Sequence, residues 1–145
     1  MLPDDFAARL VNDGPDAVVY ADAQGRIGFW NRAATRLFGF AATEALGASL
    51  DTIIPERLRS RHWQGYAEVM QGRPSRYADG ALLAVPATHK DGRQISVEFT
   101  ILPFRDAVGT LIGIAAVMRD GTARFEEMRA LRRELAALKA QAGGA

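Results

Sequence analysis

Residues Phe29–Phe40, FWNRAATRLFGF, change their period within one short string. An aromatic strand end gives way to Asn31, then to a small helix with Ala33, Leu37 and Phe38 on one side, closed by Gly39 and another aromatic. Asparagine is a preferred helix N-cap and glycine a frequent helix stop, so the string joins a strand directly to a helix. A mixed α+β chain is the consequence.

The flanking sequence extends the pattern. In PDDFAARLVNDG, Phe6 and Leu10 are four apart, Asp4 and Asp5 suit a helix start, and Asn12, Asp13 and Gly14 supply a stop. DAVVYAD and RIGFWN are β-rich runs about a turn containing Asp22 and Gly25, which predicts a hairpin. Short helices follow, marked by Leu46 with Glu44 and by Leu50, Ile53 and Ile54 before Pro55. The segment PERLRSRHWQGYAEVMQG, with proline at its start and glycine at its end, predicts a longer helix on which Leu58, His62, Tyr66 and Met70 share a face. ALLAVPATHKDGRQISVEFTILPF carries two strand runs about Lys90-Asp91-Gly92, and LIGIAAVMRD a third. TARFEEMRALRRELAALKAQ is rich in helix formers, with Met128, Leu131, Leu135 and Leu138 spaced three, four and three apart. The division expected is an N-terminal helix over 1–13, one domain over 14–122, an exit helix over 123–141 and a flexible tail over 142–145.

A chain of 145 residues, 48% hydrophobic, buries one proper core and is too short for a sensor plus a catalytic output domain. Its formal charge of +1 creates no field that would draw nucleic acid or an anionic membrane. Absence of cysteine removes disulfides, thiolate metal sites and thiol nucleophiles together. With no basic n-region and no run of ~18 apolar residues, a cytoplasmic location off the membrane is expected. Glu98 and Asp106 lie in or beside one strand run without a paired base, nucleophile or oxyanion arrangement, so an enzyme is not expected.

Four local patterns then stand in order: NRAATRLFGF, EALGASL, KDGRQISVEFTI and RDGTARFEE. Together they resemble the PAS sensor-domain family over about residues 14 to 122. The resemblance implies a five-stranded antiparallel sheet in the order 2-1-5-4-3, with short helices over one face. RDGTARFEE resembles the family's D-x-T linker, which implies Asp120 and Thr122 as the tie between the last strand and the exit helix.

Photosensors of this superfamily that use flavin need a pocket cysteine, and the coumaric-acid photoreceptor attaches its chromophore through one, so both photochemistries are excluded here. RLRSRHWQGY resembles the segment carrying the proximal histidine in haem oxygen sensors of the FixL and DOS type. That resemblance implies His62 as iron ligand, although Tyr66 follows it by four residues where FixL-type sensors have three. The position of their gas-stabilising arginine falls at about Leu83, and Phe99 and Ile101 fall where the sheet crowds the haem. An apolar distal side of this kind would favour carbon monoxide or nitric oxide over strongly held oxygen.

The leading reading is a sensory module that dimerises and transmits ligand or partner binding through its exit helix; the alternative is a haem-based gas or redox sensor. The ligand itself is unknown, with haem the leading candidate. It would contact Leu58, His62 and Tyr66 on the long helix and Leu83, Val97, Phe99, Ile101 and Ala115 on the sheet. Phe6 and Leu10, with Met128, Leu131, Leu135 and Leu138, form stripes that stay exposed unless they pair, so a homodimer is expected. The signal would pass to a downstream signalling protein or a fused output domain. His89, beside a hairpin turn, is expected to be exposed, and Trp30 and Trp63 are expected to be packing residues.

Overall fold

The computed structural model describes residues 1–73 and 82–144. Ala81, first of the strand-like run, and Ala145 of the expected tail lie outside the described residues. In chain order the elements are α1 (Phe6–Asp13), β1 (Ala17–Asp22), β2 (Ile27–Trp30), α2 (Arg32–Phe38), α3 (Ala42–Ala45), α4 (Arg59–Met70), β3 (Leu83–Thr88), β4 (Gln94–Arg105), β5 (Leu111–Asp120) and α5 (Thr122–Gly143). Two 3₁₀ turns, Leu50–Ile53 and Glu56–Leu58, lead into α4. The strands form one antiparallel sheet in the order β2-β1-β5-β4-β3, as the resemblance to the PAS family implies.

The local chemistry explains the boundaries. Asn31 caps α2 by accepting from Ala34 N at 2.9 Å, and Gly39 ends it at φ +82°, a left-handed conformation that glycine adopts at no steric cost. The segment expected as one helix from Pro55 is divided: Leu58 N donates to Pro55 O at 2.8 Å to close the tight turn Glu56–Leu58, and only from Arg59 does α4 begin. Leu58, His62, Tyr66 and Met70 are nonetheless all half-buried, on a common side. The exit helix runs from Thr122 through Gly143, overrunning the expected tail because Ala140 and Ala142 are strong helix formers.

The core lies between α2, α3, the 3₁₀ turn at Leu50–Ile53 and one face of the sheet. Phe38 and Ile27 are its largest fully enclosed side chains, with Val19, Trp30, Val97, Ala116 and Met118 beside them. His89 departs from the expectation of exposure: its side chain is only 15% exposed. The ring fills space that Gly39 leaves open, since a Cβ there would come within 2.6 Å of His89 Cε1. Lys90 N donates to Phe38 O at 2.8 Å, and the Lys90 ammonium pairs with Glu44, so the β3–β4 turn docks onto the α2–α3 connection. Neither terminal helix shares in the core: α1 and α5 contain no buried residue.

Candidate functional site

Strand register decides which expected site residues face α4. Leu83 pairs with Phe99 and Val85 with Val97, while Phe99 pairs with Met118 and Ile101 with Ala116, which in turn pairs with Val19. Leu83, Val97, Phe99 and Ile101 therefore share the helix-covered face. Ala115 does not. It pairs with Tyr20 and Leu102 on the opposite face, and its neighbour Ala116 occupies the inward position. Val97 and Leu83 are buried, whereas Phe99 and Ile101 are half-buried and pack at the edge of the core cluster with Trp63, Tyr66 and Ile54.

Opposite that floor, α4 is held by its own aromatic residues. Tyr66 Oη donates to Asp22 O at 2.6 Å, with Ala21 O at 3.2 Å, which fixes the helix to the end of β1. Trp63 Nε1 donates to Asp51 Oδ1 at 2.7 Å. Its ring lies on Gly25, where a Cβ would meet Trp63 Cη2 at 2.0 Å, and Gly25 has φ +75°. Arg59 Nε donates to Ile54 O at 3.2 Å and completes the attachment. Trp63 is thus a packing residue, as expected, and also the clamp between α4 and the β1–β2 turn. Of its partners, Asp51 carries no motif that would have marked it, and Gly25 is marked in the sequence only as a turn residue.

His62 sits edge-on to Trp63, with ring centroids 4.8 Å apart, and tilted against Tyr66 at 5.7 Å. Burial lowers its pKa from 6.5, partly countered by the Asp51 carboxylate, so the imidazole is neutral at pH 7. Its Nδ1 is buried and has no hydrogen-bond partner among the described residues. Burial, with smaller contributions from Asp22 and Tyr20, raises the Tyr66 pKa and keeps the phenol a donor. The constellation is an apolar and aromatic layer between α4 and the sheet, containing one neutral imidazole with an unused nitrogen. A haem iron is suited by a neutral imidazole on a helix facing apolar surface, so Leu58, His62, Tyr66, Phe99 and Ile101 fit that group chemically. The buried Nδ1 lacks the acceptor that usually orients a metal-bound histidine.

At the other end of the sheet, α5 is fastened by Ser96, a residue that sequence reasoning missed. Gly121 N donates to Ser96 O at 2.8 Å and Ser96 N donates to Thr122 Oγ1 at 3.0 Å. Asp120 Oδ1 accepts from Thr122 N at 2.9 Å, and Arg124 lies 3.7 Å from the largely buried Glu98 carboxylate. Asp120 and Thr122 thus join β5 to α5, and Ser96 adds β4 to the joint. The apolar residues Phe6 and Leu10 of α1 and Met128, Leu131, Leu135 and Leu138 of α5 are all exposed, by 42% to 61%.

Comparison with known proteins agrees with this geometry. The family model described as PAS fold matches residues 11–126. The sensor protein FixL of Bradyrhizobium diazoefficiens is 44% identical over 48 residues, 33% of this chain and 10% of that protein. An uncharacterized protein of Azorhizobium caulinodans is 32% identical over 125 residues, 86% of this chain and 17% of that protein. The chain thus spans less than a fifth of the length of these curated relatives. Among solved structures, the PAS domain of a protein from Colwellia psychrerythraea has a TM-score of 0.68 at 23% identity, covering 81% of this chain and 95% of its own. An RNA-binding light-oxygen-voltage receptor has a TM-score of 0.71 at 24% identity over 93% of this chain and 37% of its own. A sensory box histidine kinase/response regulator from Burkholderia thailandensis reaches 0.66 at 12% identity over 94% and 98%. With four-fifths of its length matched by the family model, and its five strands in the order first expected, this chain belongs to the PAS fold family.

Proposed function

We propose that this PAS domain is a sensory module that dimerises and passes ligand or partner binding to its exit helix. The observation that carries the reading is the form of α5: it is 22 residues long, buries none of them, and is bonded at its first turn to Ser96 of β4. A helix with an exposed apolar stripe contributes little to its own domain and is suited to a second copy. A ligand between α4 and the sheet would meet Leu58, His62 and Tyr66 on one side and Phe99 and Ile101 on the other. Because Phe99 and Ile101 lie on β4, as Ser96 does, a shift of that strand would move the seat of α5. The output would then reach a downstream signalling protein or a fused domain. The coupling is tested by Tyr66→Phe, which removes the bond from α4 to Asp22 O. Hydrogen exchange should quicken in β4, β5 and the first turn of α5; a change confined to α4 and the β1–β2 turn would contradict the coupling.

A second reading, haem binding, is favoured by the neutral His62 imidazole, half-buried among aromatic side chains on α4, and by the FixL match. His62 would hold the iron, and Leu58, Tyr66, Phe99 and Ile101 would lie around the group. Bound there, haem would supply an iron able to take a diatomic gas or change redox state. Leu83, buried on β3, makes that side apolar and favours carbon monoxide or nitric oxide. Titration of the purified chain with haemin should give a sharp Soret band that His62→Ala alters. No band, or one indifferent to His62→Ala, would exclude the reading.

A further inference from the structure

We propose that Arg119 is a charge switch linking α1 to the seat of α5 across the outer face of the sheet, the face turned away from α4. The inference needs neither a ligand between α4 and the sheet nor a second copy of the chain. Alternation along β5 puts Met118 on the helix-covered face and Arg119 on the other. Register then sets Arg119 against Glu98 of β4 and, one step beyond the pair of Ala17 with Met118, against Asp16 immediately before β1. Asp16, Arg119 and Glu98 thus stand side by side across the sheet, with Arg124 of α5 next in line, 3.7 Å from the Glu98 carboxylate. The sign of the charge alternates from each member of the row to the next.

Each end of the row carries a terminal helix. Asn31 Nδ2 donates to Val11 O at 2.7 Å and to Asp16 O at 2.9 Å, so one side chain holds the end of α1 and the backbone of Asp16 together. Any event that reseats α1 therefore moves Asp16. At the other end, a Cβ on Gly121 would come within 2.7 Å of Glu98 Cγ, so the chain entering α5 rests on the Glu98 side chain, which is only 14% exposed. A movement of Glu98 disturbs the first turn of α5.

Arg119 stands between two carboxylates and serves one of them. Its Nη2 lies 3.1 and 3.0 Å from the two oxygens of Asp16, which leaves Glu98 to Arg124. Opposite charges directly across a strand pair attract, so once Asp16 is withdrawn the guanidinium has Glu98 as its next partner. Glu98 would then be shared, its hold on Arg124 weakened and the support under Gly121 shifted. Coupling of this kind is reciprocal: freeing Arg124 from Glu98 would let that carboxylate compete for Arg119 and weaken the tie to Asp16.

Hydrogen exchange on the whole chain tests the switch with Asp16→Ala, Arg119→Gln and the two combined. The amides to read are Gly121, bonded to Ser96 O, and Phe125, bonded to Gly121 O, at the seat of α5, together with the last turn of α1. Asp16→Ala should quicken the two α5 amides about threefold, the scale of an exposed ion pair, although the substitution lies beside another strand. Arg119→Gln should loosen the last turn of α1 but leave Gly121 and Phe125 at the wild-type rate or slower, since Glu98 keeps Arg124 to itself. The double variant should match Arg119→Gln, so that removing the competing guanidinium cancels the effect of Asp16→Ala on α5. Static ion pairs give another pattern, in which Asp16→Ala leaves α5 unchanged; that result would overturn the proposal. A double variant as loose at Phe125 as Asp16→Ala alone would overturn it too, because the effect would then bypass Arg119. The Gly39 amide, bonded to Thr35 O at the end of α2, separates a local effect from a general loss of stability: an equal acceleration there would also contradict the switch.

Discussion

The backbone N–H of Ser96 donates to Thr122 Oγ1 at 3.0 Å, and this bond joins the first turn of the exit helix to β4 rather than to the strand from which the helix emerges. Gly121 N returns a bond to Ser96 O at 2.8 Å, so one residue of β4 both donates to and accepts from the joint. Thr122→Val preserves shape but leaves Ser96 N without its acceptor. The expected cost is about 1–2 kcal/mol in urea denaturation, with faster exchange of the Ser96 amide. Unchanged exchange at Ser96 would show that the bond does not hold α5.

Asn31 is expected to be the most sensitive polar position. Its side chain accepts from Val18 N and Ala34 N at 2.9 Å, and donates to Val11 O at 2.7 Å and Asp16 O at 2.9 Å, using all its ordinary bonding capacity while only 3% exposed. It therefore ties α1, β1 and α2 together. Asn31→Ala should destabilise the fold by about 3 kcal/mol, since it removes a cap and leaves partly buried backbone groups unpaired. Thermal melts and exchange at the C-terminal end of α1 would measure both effects.

His62 predicts a pH dependence of definite sign. Burial lowers its folded pKa below 6.5, so as pH falls through that value the unfolded chain takes the proton first. The stability associated with neutral His62 is fully present above about pH 6.5 and declines below it, levelling once the folded pKa is passed. His62→Gln removes this contribution. The difference in melting temperature between wild type and variant should thus depend on pH below 6.5 and be flat above it.

Gly25→Ala should disrupt the clamp on α4 from the opposite element. The residue has φ +75°, and a Cβ would lie 2.0 Å from Trp63 Cη2. Backbone strain of about 1 kcal/mol and displacement of the indole act together, for an expected loss of about 2–4 kcal/mol. Tryptophan emission should shift to the red as Trp63 gains solvent. An unshifted spectrum with full stability would contradict the clamp.

The parts of this molecule that were legible in its sequence are those governed by local period. The switch at Asn31, the two turns with glycine at Gly25 and Gly92, and the helix formers after Thr122 give the elements, and their order resembles one family closely enough to supply the sheet topology. Face and depth were less legible. LIGIAAVM is apolar at nearly every position, so alternation offers no phase, and the choice between Ala115 and Ala116 is made only by pairing with β1 and β4. His89 was read from its turn alone, but its burial depends on Gly39, fifty residues earlier in the chain. Ser96, Asp51 and Gly25 act through partners far along the chain; Ser96 and Gly25 lie in a hairpin pattern and a turn signal, but neither pattern marks those contacts. Pro55 is compatible with the start of either a 3₁₀ turn or an α-helix, which is why the start of α4 at Arg59 could not be read from it.

Sedimentation equilibrium of the whole chain, beside a Leu131→Asp, Leu135→Asp variant, tests the central claim most directly. The account predicts a concentration-dependent dimer for the wild type and a monomer for the variant, with the β-sheet signal in circular dichroism retained because neither leucine is buried in the domain. A wild type that remains monomeric across the accessible concentration range, or a dimer that survives both substitutions, would contradict the assignment of α5 as the output surface.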